Sequence, residues 1–171
     1  ILFSEYGFLQ FPIVAYRTGA TPVKAPARDL KTDVDSLLAA VTEKTKIVFV
    51  ANPDNPTGTW IPTTEIRRLR DNLPGNVVLV VDSAYCEYVD DPDFSDGLEL
   101  VEGHDNVIVT RTFSKAWGLA GLRVGWGYGP AEMIGALNLM RGIGNINAMA
   151  QAGAAAALKD PTHVEMVRTK T

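Results

Sequence analysis

A single cysteine, Cys86, occurs in the 171 residues, so no internal disulfide can form and a reducing compartment such as the cytoplasm suits the chain. Two histidines beside that one thiol are too few for a His/Cys metal cage, and no metal is expected. Long hydrophobic runs are also missing. Val77–Val81 and Ala152–Leu158 fall far short of the roughly 20 apolar residues that a membrane-crossing helix needs, so no membrane partner is expected. Nor is there a surplus of positive charge: 16 Lys and Arg stand against 20 Asp and Glu, a net charge of -4, which argues against a general nucleic-acid binder. What is present is ordinary for a globular domain, with 46% hydrophobic and 21% charged residues, enough to close one core and to exclude extensive disorder. Residue 1 is Ile, no basic or cleavable leader follows it, and the sequence ends at Thr171 in a helix-like stretch. Those features read as a piece of a longer protein.

Short apolar runs rich in Val and Ile predict strands over Thr21–Lys24, Lys46–Ala51, Val77–Asp82, Asn106–Arg111 and Arg123–Tyr128. Two of them, around Val48–Val50 and Val77–Val81, lack alternation, which suits strands covered on both faces. Helical patterns lie between: Val34–Val41 opened by Asp33, and Thr64–Leu73 preceded by Pro62 and a capping Thr63. Further helices are expected over Ala131–Met140 and Ala148–Leu158, then from Asp160-Pro161 to the end. Strand alternating with helix implies an α/β fold with a mostly parallel sheet. Only eleven residues separate Arg111 from Arg123, short for a parallel crossover of about a dozen or more, so the last strand is expected to run antiparallel.

Three polar clusters follow predicted strands, at the strand ends where open α/β sheets bind ligands. They are Asn52-Pro53-Asp54-Asn55-Pro56-Thr57-Gly58-Thr59, Asp82-Ser83-Ala84-Tyr85, and Thr110-Arg111-Thr112-Phe113-Ser114-Lys115-Ala116-Trp117-Gly118 with Arg123 eight residues past the lysine. Singly, each has a plain reading as turn chemistry, a helix cap or solvated surface. Together they supply an amine nucleophile, hydroxyls beside an arginine for an anion, a carboxylate on a buried strand and a hydrogen-bonding amide. Pyridoxal 5'-phosphate needs all four: a lysine for its aldehyde, an anion for its ring nitrogen and fixed donors for its phosphate. By contrast, Gly142-Ile143-Gly144-Asn145-Ile146-Asn147 lacks a third glycine and follows a helix, so it reads as a turn between helices rather than a dinucleotide loop. His104 and His163 read as surface residues, Cys86 as a small buried hydrophobe, and the alternating Gly125, Gly127 and Gly129 as close backbone packing.

The three clusters, with the run Gly118-Leu119-Ala120-Gly121-Leu122-Arg123, resemble the cofactor motifs of fold type I aminotransferases, and within them the histidinol-phosphate aminotransferase group. The resemblance spans nearly the whole chain, from about Phe3 to the C-terminal helices. It implies a three-layer α/β sandwich in which residues 1–171 form an incomplete large domain, without an N-terminal segment and a C-terminal small domain. It implies transamination between an amino acid, or a histidinol phosphate-like amine, and a 2-oxo acid. Lys115 would bond the cofactor aldehyde, Asp82 the ring nitrogen, and Asn55 and Tyr85 the ring oxygen. Thr112, Ser114 and Arg123 would hold the phosphate, and Tyr6 would stack on the ring. Ser83 departs from the pattern, since relatives commonly carry Glu after the aspartate. An aromatic amino-acid aminotransferase and a phospho-amino-acid decarboxylase of the same superfamily stay open, as does a noncatalytic α/β ligand-binding fragment. The resemblance also implies a homodimer, substrate-gripping arginines outside these residues, and an inactive isolated fragment.

Overall fold

The computed structural model describes all 171 residues, Ile1–Thr171. Six strands form one sheet: β1 (Leu2–Ser4), β2 (Val23–Ala25), β3 (Ile47–Ala51), β4 (Val78–Asp82), β5 (Val107–Thr112) and β6 (Gly125–Tyr128). Their order is β2-β1-β3-β4-β5-β6; every neighbouring pair is parallel except β5 with β6, which is antiparallel as the short connection requires. Six helices accompany them: α1 (Gln10–Arg17), α2 (Val34–Ala40), α3 (Thr63–Asn72), α4 (Ala131–Met140), α5 (Ala148–Ala157) and α6 (Pro161–Lys170). None is long and apolar enough to cross a membrane.

Adjacent strand residues point to opposite faces, and the core divides accordingly. Leu2, Val48, Val50, Leu79, Val81, Val107 and Val109 pack on Val34 and Leu37 of α2 and on Ile66 and Leu69 of α3. Phe3, Ala51 and Phe49 face the other way, against Phe11 of α1, whose ring stacks on Phe49 at 4.6 Å between centroids. Sheet and helices thus make three layers. Coverage is unequal, however: along β4, buried Leu79 and Val81 alternate with half-buried Val78, Val80 and Asp82. The unbroken apolar run there predicted burial on both faces, and among these 171 residues only one face of β4 is fully packed.

Several local expectations shift. The first predicted strand lies at Val23–Ala25, and β1 and α1 were not anticipated at all. Arg123 does not open β6; it follows a tight turn at Ala120–Leu122 in left-handed backbone with φ of 54°, and the strand starts at Gly125. Thr63 is the first residue of α3 rather than its cap, and its hydroxyl is buried without a partner. Asp33 does cap α2, accepting from the Ser36 N–H, and Asn147 caps α5 by accepting from Ala150, which makes Gly142–Asn147 the interhelical turn it resembles. His163 is not a surface residue: its Nε2 is buried, 2.9 Å from where a Cβ on Gly118 would stand. Gly118 has φ of 71°, so both its backbone and this approach call for glycine.

Close packing at Gly125 is real. A Cβ there would sit 2.6 Å from the Arg111 carbonyl oxygen. Gly125→Ala should therefore force β5 and β6 apart and cost about 1–3 kcal/mol, seen as a lower thermal midpoint. An unchanged midpoint would contradict this packing.

Candidate active site

Parallel β3, β4 and β5 all end on one edge of the sheet, and the loops that leave that edge carry the three polar clusters. They enclose a cleft of about 410 Å3 lined by Asn55, Asp82, Tyr85, Thr112, Ser114, Lys115 and Arg123. Seven of the eight predicted site residues are therefore brought together. The eighth, Tyr6, is 44% exposed and outside that lining; Phe8, two residues on, faces the cleft instead.

Each group is positioned by local structure. Asp82 is the last residue of β4, so strand burial delivers a carboxylate directly into the cleft. Burial pushes its pKa up, against the pull of the Ala84 N–H, the Thr110 hydroxyl and the Lys115 charge. Such a carboxylate gains most from a cationic partner. Asn55 Nδ2 donates to the Tyr85 hydroxyl at 3.3 Å, so an amide and a phenol from separate loops converge on one point. Lys115 is exposed, with its Nζ 5.0 Å from the centre of the Tyr85 ring. Around the turn after β5, Thr112 Oγ1 accepts from the Ser114 N–H at 3.1 Å, while the Arg123 guanidinium is held by the Ala120 carbonyl at 2.7 Å. Two hydroxyls and a guanidinium at one end of the cleft form an anion cradle.

Comparison with known proteins bears directly on this arrangement. The sequence model of the family described as aminotransferase class I and II matches residues 1–170. The chain belongs to this aminotransferase family. Histidinol-phosphate aminotransferase of Rhodopseudomonas palustris (strain HaA2) is 52% identical over 168 residues, covering 98% of this chain and 46% of that protein. The crystal structure of histidinol-phosphate aminotransferase from Sinorhizobium meliloti in complex with pyridoxal-5'-phosphate superposes with a TM-score of 0.93 at 35% identity, over 99% of this chain and 46% of that one. L-threonine-O-3-phosphate decarboxylase from Porphyromonas gingivalis shares the fold, with a TM-score of 0.79 at 21% identity, over 95% of this chain and 47% of that one. The chain spans about half the length of the curated relatives it matches.

Thr110 and Arg111, which also line the cleft, and buried Asp54 in the loop after β3 stand in the polar clusters of the sequence but carry no role from it. Thr110 lies opposite Asp82 on the neighbouring strand, where its hydroxyl counters the upward shift of the Asp82 pKa, a relation that no spacing in one segment reveals. Asp54 Oδ1 accepts from the Asn55 N–H at 2.8 Å, and the Asp54 backbone closes the loop through Thr59 and Gly58. Its Oδ2 is buried without a partner. Burial, aided by the nearby Asp82 charge, raises the Asp54 pKa from 3.8 to about 6 despite the Asn55 N–H. A folded-state pKa above the unfolded one means that stability falls as pH rises from about 4 to about 6, and stays reduced above that window. Asp54→Asn keeps the acceptor and removes the charge. It should raise the thermal midpoint clearly at pH 8 and hardly at pH 4; an equal gain at both would show that the Asp54 charge is not the cause.

Proposed function

We propose that these residues are the large cofactor-binding domain, in part, of a pyridoxal-phosphate-dependent aminotransferase that acts on a histidinol phosphate-like amine or a related amino acid, with a 2-oxo acid as amino acceptor. Support for the substrate class comes from the similarity to relatives named histidinol-phosphate aminotransferase over nearly the whole of this chain. The relatives' greater length supports an N-terminal segment and a C-terminal small domain beyond these residues, where the substrate-gripping arginines would lie. A cytoplasmic homodimer completes the proposal.

The observation that carries it is the cleft itself, which one lysine, one half-buried carboxylate, a convergent amide and phenol, and an anion cradle line together. These residues fit the cofactor by their chemistry. The Asp82 carboxylate, costly while unpaired, suits a protonated pyridine nitrogen, and Thr112, Ser114 and Arg123 suit a phosphate. When bound, pyridoxal phosphate supplies an electron sink for the bonds at the substrate's α-carbon.

The remaining work belongs to the chain. Asp82 keeps that sink effective by favouring the protonated ring nitrogen. Asn55 Nδ2 and the Tyr85 hydroxyl donate towards the ring oxygen and favour its anion. Thr112, Ser114 and Arg123 would hold the cofactor at its phosphate and keep it oriented independently of Lys115. Lys115 would hold the cofactor's aldehyde and, as a primary amine in the cleft, would be placed to move a proton at the substrate's α-carbon.

The direct test is to add pyridoxal phosphate to the full-length enzyme, reduce with borohydride and map the modified peptide. A stable secondary amine on Lys115 is expected. No adduct on this lysine would sink the proposal, and a survey of amino donors on the same preparation would separate a histidinol phosphate-like amine from aromatic amino acids.

A further inference from the structure

Behind the cleft lies a polar network that the proposed reaction does not use. Arg111 lines the cleft and is placed as though to help hold a phosphate, yet its guanidinium is already committed. Nη1 donates to Asp96 Oδ2 at 2.6 Å and Nη2 to Glu87 Oε1 at 2.7 Å, while the guanidinium carbon lies 5.4 Å from the Trp126 ring centre. The same Glu87 oxygen accepts from the indole N–H of Trp117 at 2.8 Å. Both partners of the ion pair are well buried, with side-chain exposures of 13% for Arg111 and 9% for Glu87.

The sequence positions of these three residues give the network its meaning. Glu87 is two residues past Tyr85, Arg111 immediately precedes Thr112, and Trp117 is two residues past Lys115. Glu87 therefore sits on the segment that presents Tyr85, while Arg111 and Trp117 flank the turn that presents Thr112, Ser114 and Lys115, and one carboxylate oxygen bonds the first segment to both ends of the second. We propose that Glu87 is a positioning residue, whose buried carboxylate ties the Tyr85 segment to both ends of the turn that carries Thr112 and Lys115 and sets the spacing between the phenol, the anion cradle and the amine.

The physical basis is the cost of disengaging such a group. A buried carboxylate that leaves its guanidinium strands both charges in a low-dielectric site, so the tie holds its geometry more strictly than apolar contact would. The same two segments also meet where Lys115 Nζ comes within 5.0 Å of the Tyr85 ring centre. Arg111, for its part, acts through Glu87 and Asp96 and leaves the phosphate to Thr112, Ser114 and Arg123.

This inference rests on the proposed function, and its test separates the two. The readout is the visible absorption of bound pyridoxal phosphate against pH in the full-length enzyme, together with the cofactor dissociation constant. Glu87→Gln removes the charge and loosens Tyr85 from the ring oxygen it is proposed to stabilise as an anion. The midpoint of the absorption change should move up by about one pH unit, and cofactor should bind about tenfold more weakly, as expected for a lost charge-assisted bond. Trp117→Phe keeps the ring and deletes only the N–H, so it should move both in the same direction by about a third as much. Combined with Glu87→Gln it should add little, since the shared acceptor is already impaired. Glu87→Asp, which restores the charge on a shorter stem, should recover part of the midpoint.

A folded Glu87→Gln enzyme with parental midpoint and affinity would overturn the inference. So would effects of the two substitutions that simply multiply. Should Glu87→Gln fail to fold, an unmoved midpoint in Trp117→Phe overturns it equally. If the parent enzyme itself gives no borohydride-stable adduct on Lys115, the functional reading falls, and this inference with it.

Discussion

Lys115→Ala is expected to leave a folded enzyme that binds pyridoxal phosphate noncovalently and has lost transamination by at least about four decades, because one side chain supplies both the covalent link and the proton transfer. The fold should tolerate the change. Lys115 is exposed, and its one specific contact is a cation–π approach to Tyr85 at 5.0 Å, worth roughly 0.5–1 kcal/mol at an exposed site. Cofactor should stay bound because its phosphate and ring contacts are proposed to come from other residues of the cleft: Thr112, Ser114 and Arg123 for the phosphate, Asp82, Asn55 and Tyr85 for the ring. Lys115→Arg is the sharper control. It keeps the positive charge near Tyr85 but offers a guanidinium that stays protonated, so it can neither bond the aldehyde nor accept a proton from the α-carbon. Both variants should show bound cofactor without a reducible link. Turnover of an amino donor by either one, at more than about a hundredth of the parental rate, would mean that another amine does the work.

The residues on which these expectations rest were legible in the sequence for a definite reason. Asn55, Asp82 and Lys115 each follow an apolar run that can only be a buried strand, and parallel pairing brings such strand ends to one edge. Their chemistry then combines whatever the details of the loops. What stayed hidden depends on contacts across space. β1 has only three residues, too few to show a period, and exists because it pairs with β2 on one side and β3 on the other. Arg123 looked like the start of a strand, since Val124 and Gly125 follow it; the tight turn at Ala120–Leu122 imposes its left-handed backbone and delays the strand by two residues. The Glu87 tie joins residues 24 and 30 positions apart, and nothing in Cys86-Glu87-Tyr88 distinguishes that glutamate from a solvated one. The position of Phe8 rather than Tyr6 at the cleft is likewise decided by how the segment between β1 and α1 turns, a matter of packing around Phe11.

Asp82→Asn should lower kcat/KM for the amino donor by about two to three decades while leaving the protein at least as stable as its parent. The two halves of that expectation come from one fact. Burial raises the Asp82 pKa in the absence of a cationic partner, so the carboxylate is a cost to the fold that is absent below its ordinary pKa of 3.8, grows as pH rises past it and is fully present above the raised pKa. A neutral amide avoids the cost and still accepts from the Ala84 N–H, hence an equal or higher thermal midpoint at pH 8. The same substitution removes the anion that favours a protonated ring nitrogen, a charge-assisted bond of about 1.5–3 kcal/mol, equivalent to one to two pH units in that nitrogen's pKa. The electron sink weakens in proportion, and every step that leaves charge at the substrate's α-carbon slows. Lys115 is untouched, so borohydride should still trap its link to the cofactor, which separates loss of the sink from loss of the site. A variant that turns over within a few-fold of the parent would show that Asp82 caps its strand end and does not partner the ring nitrogen.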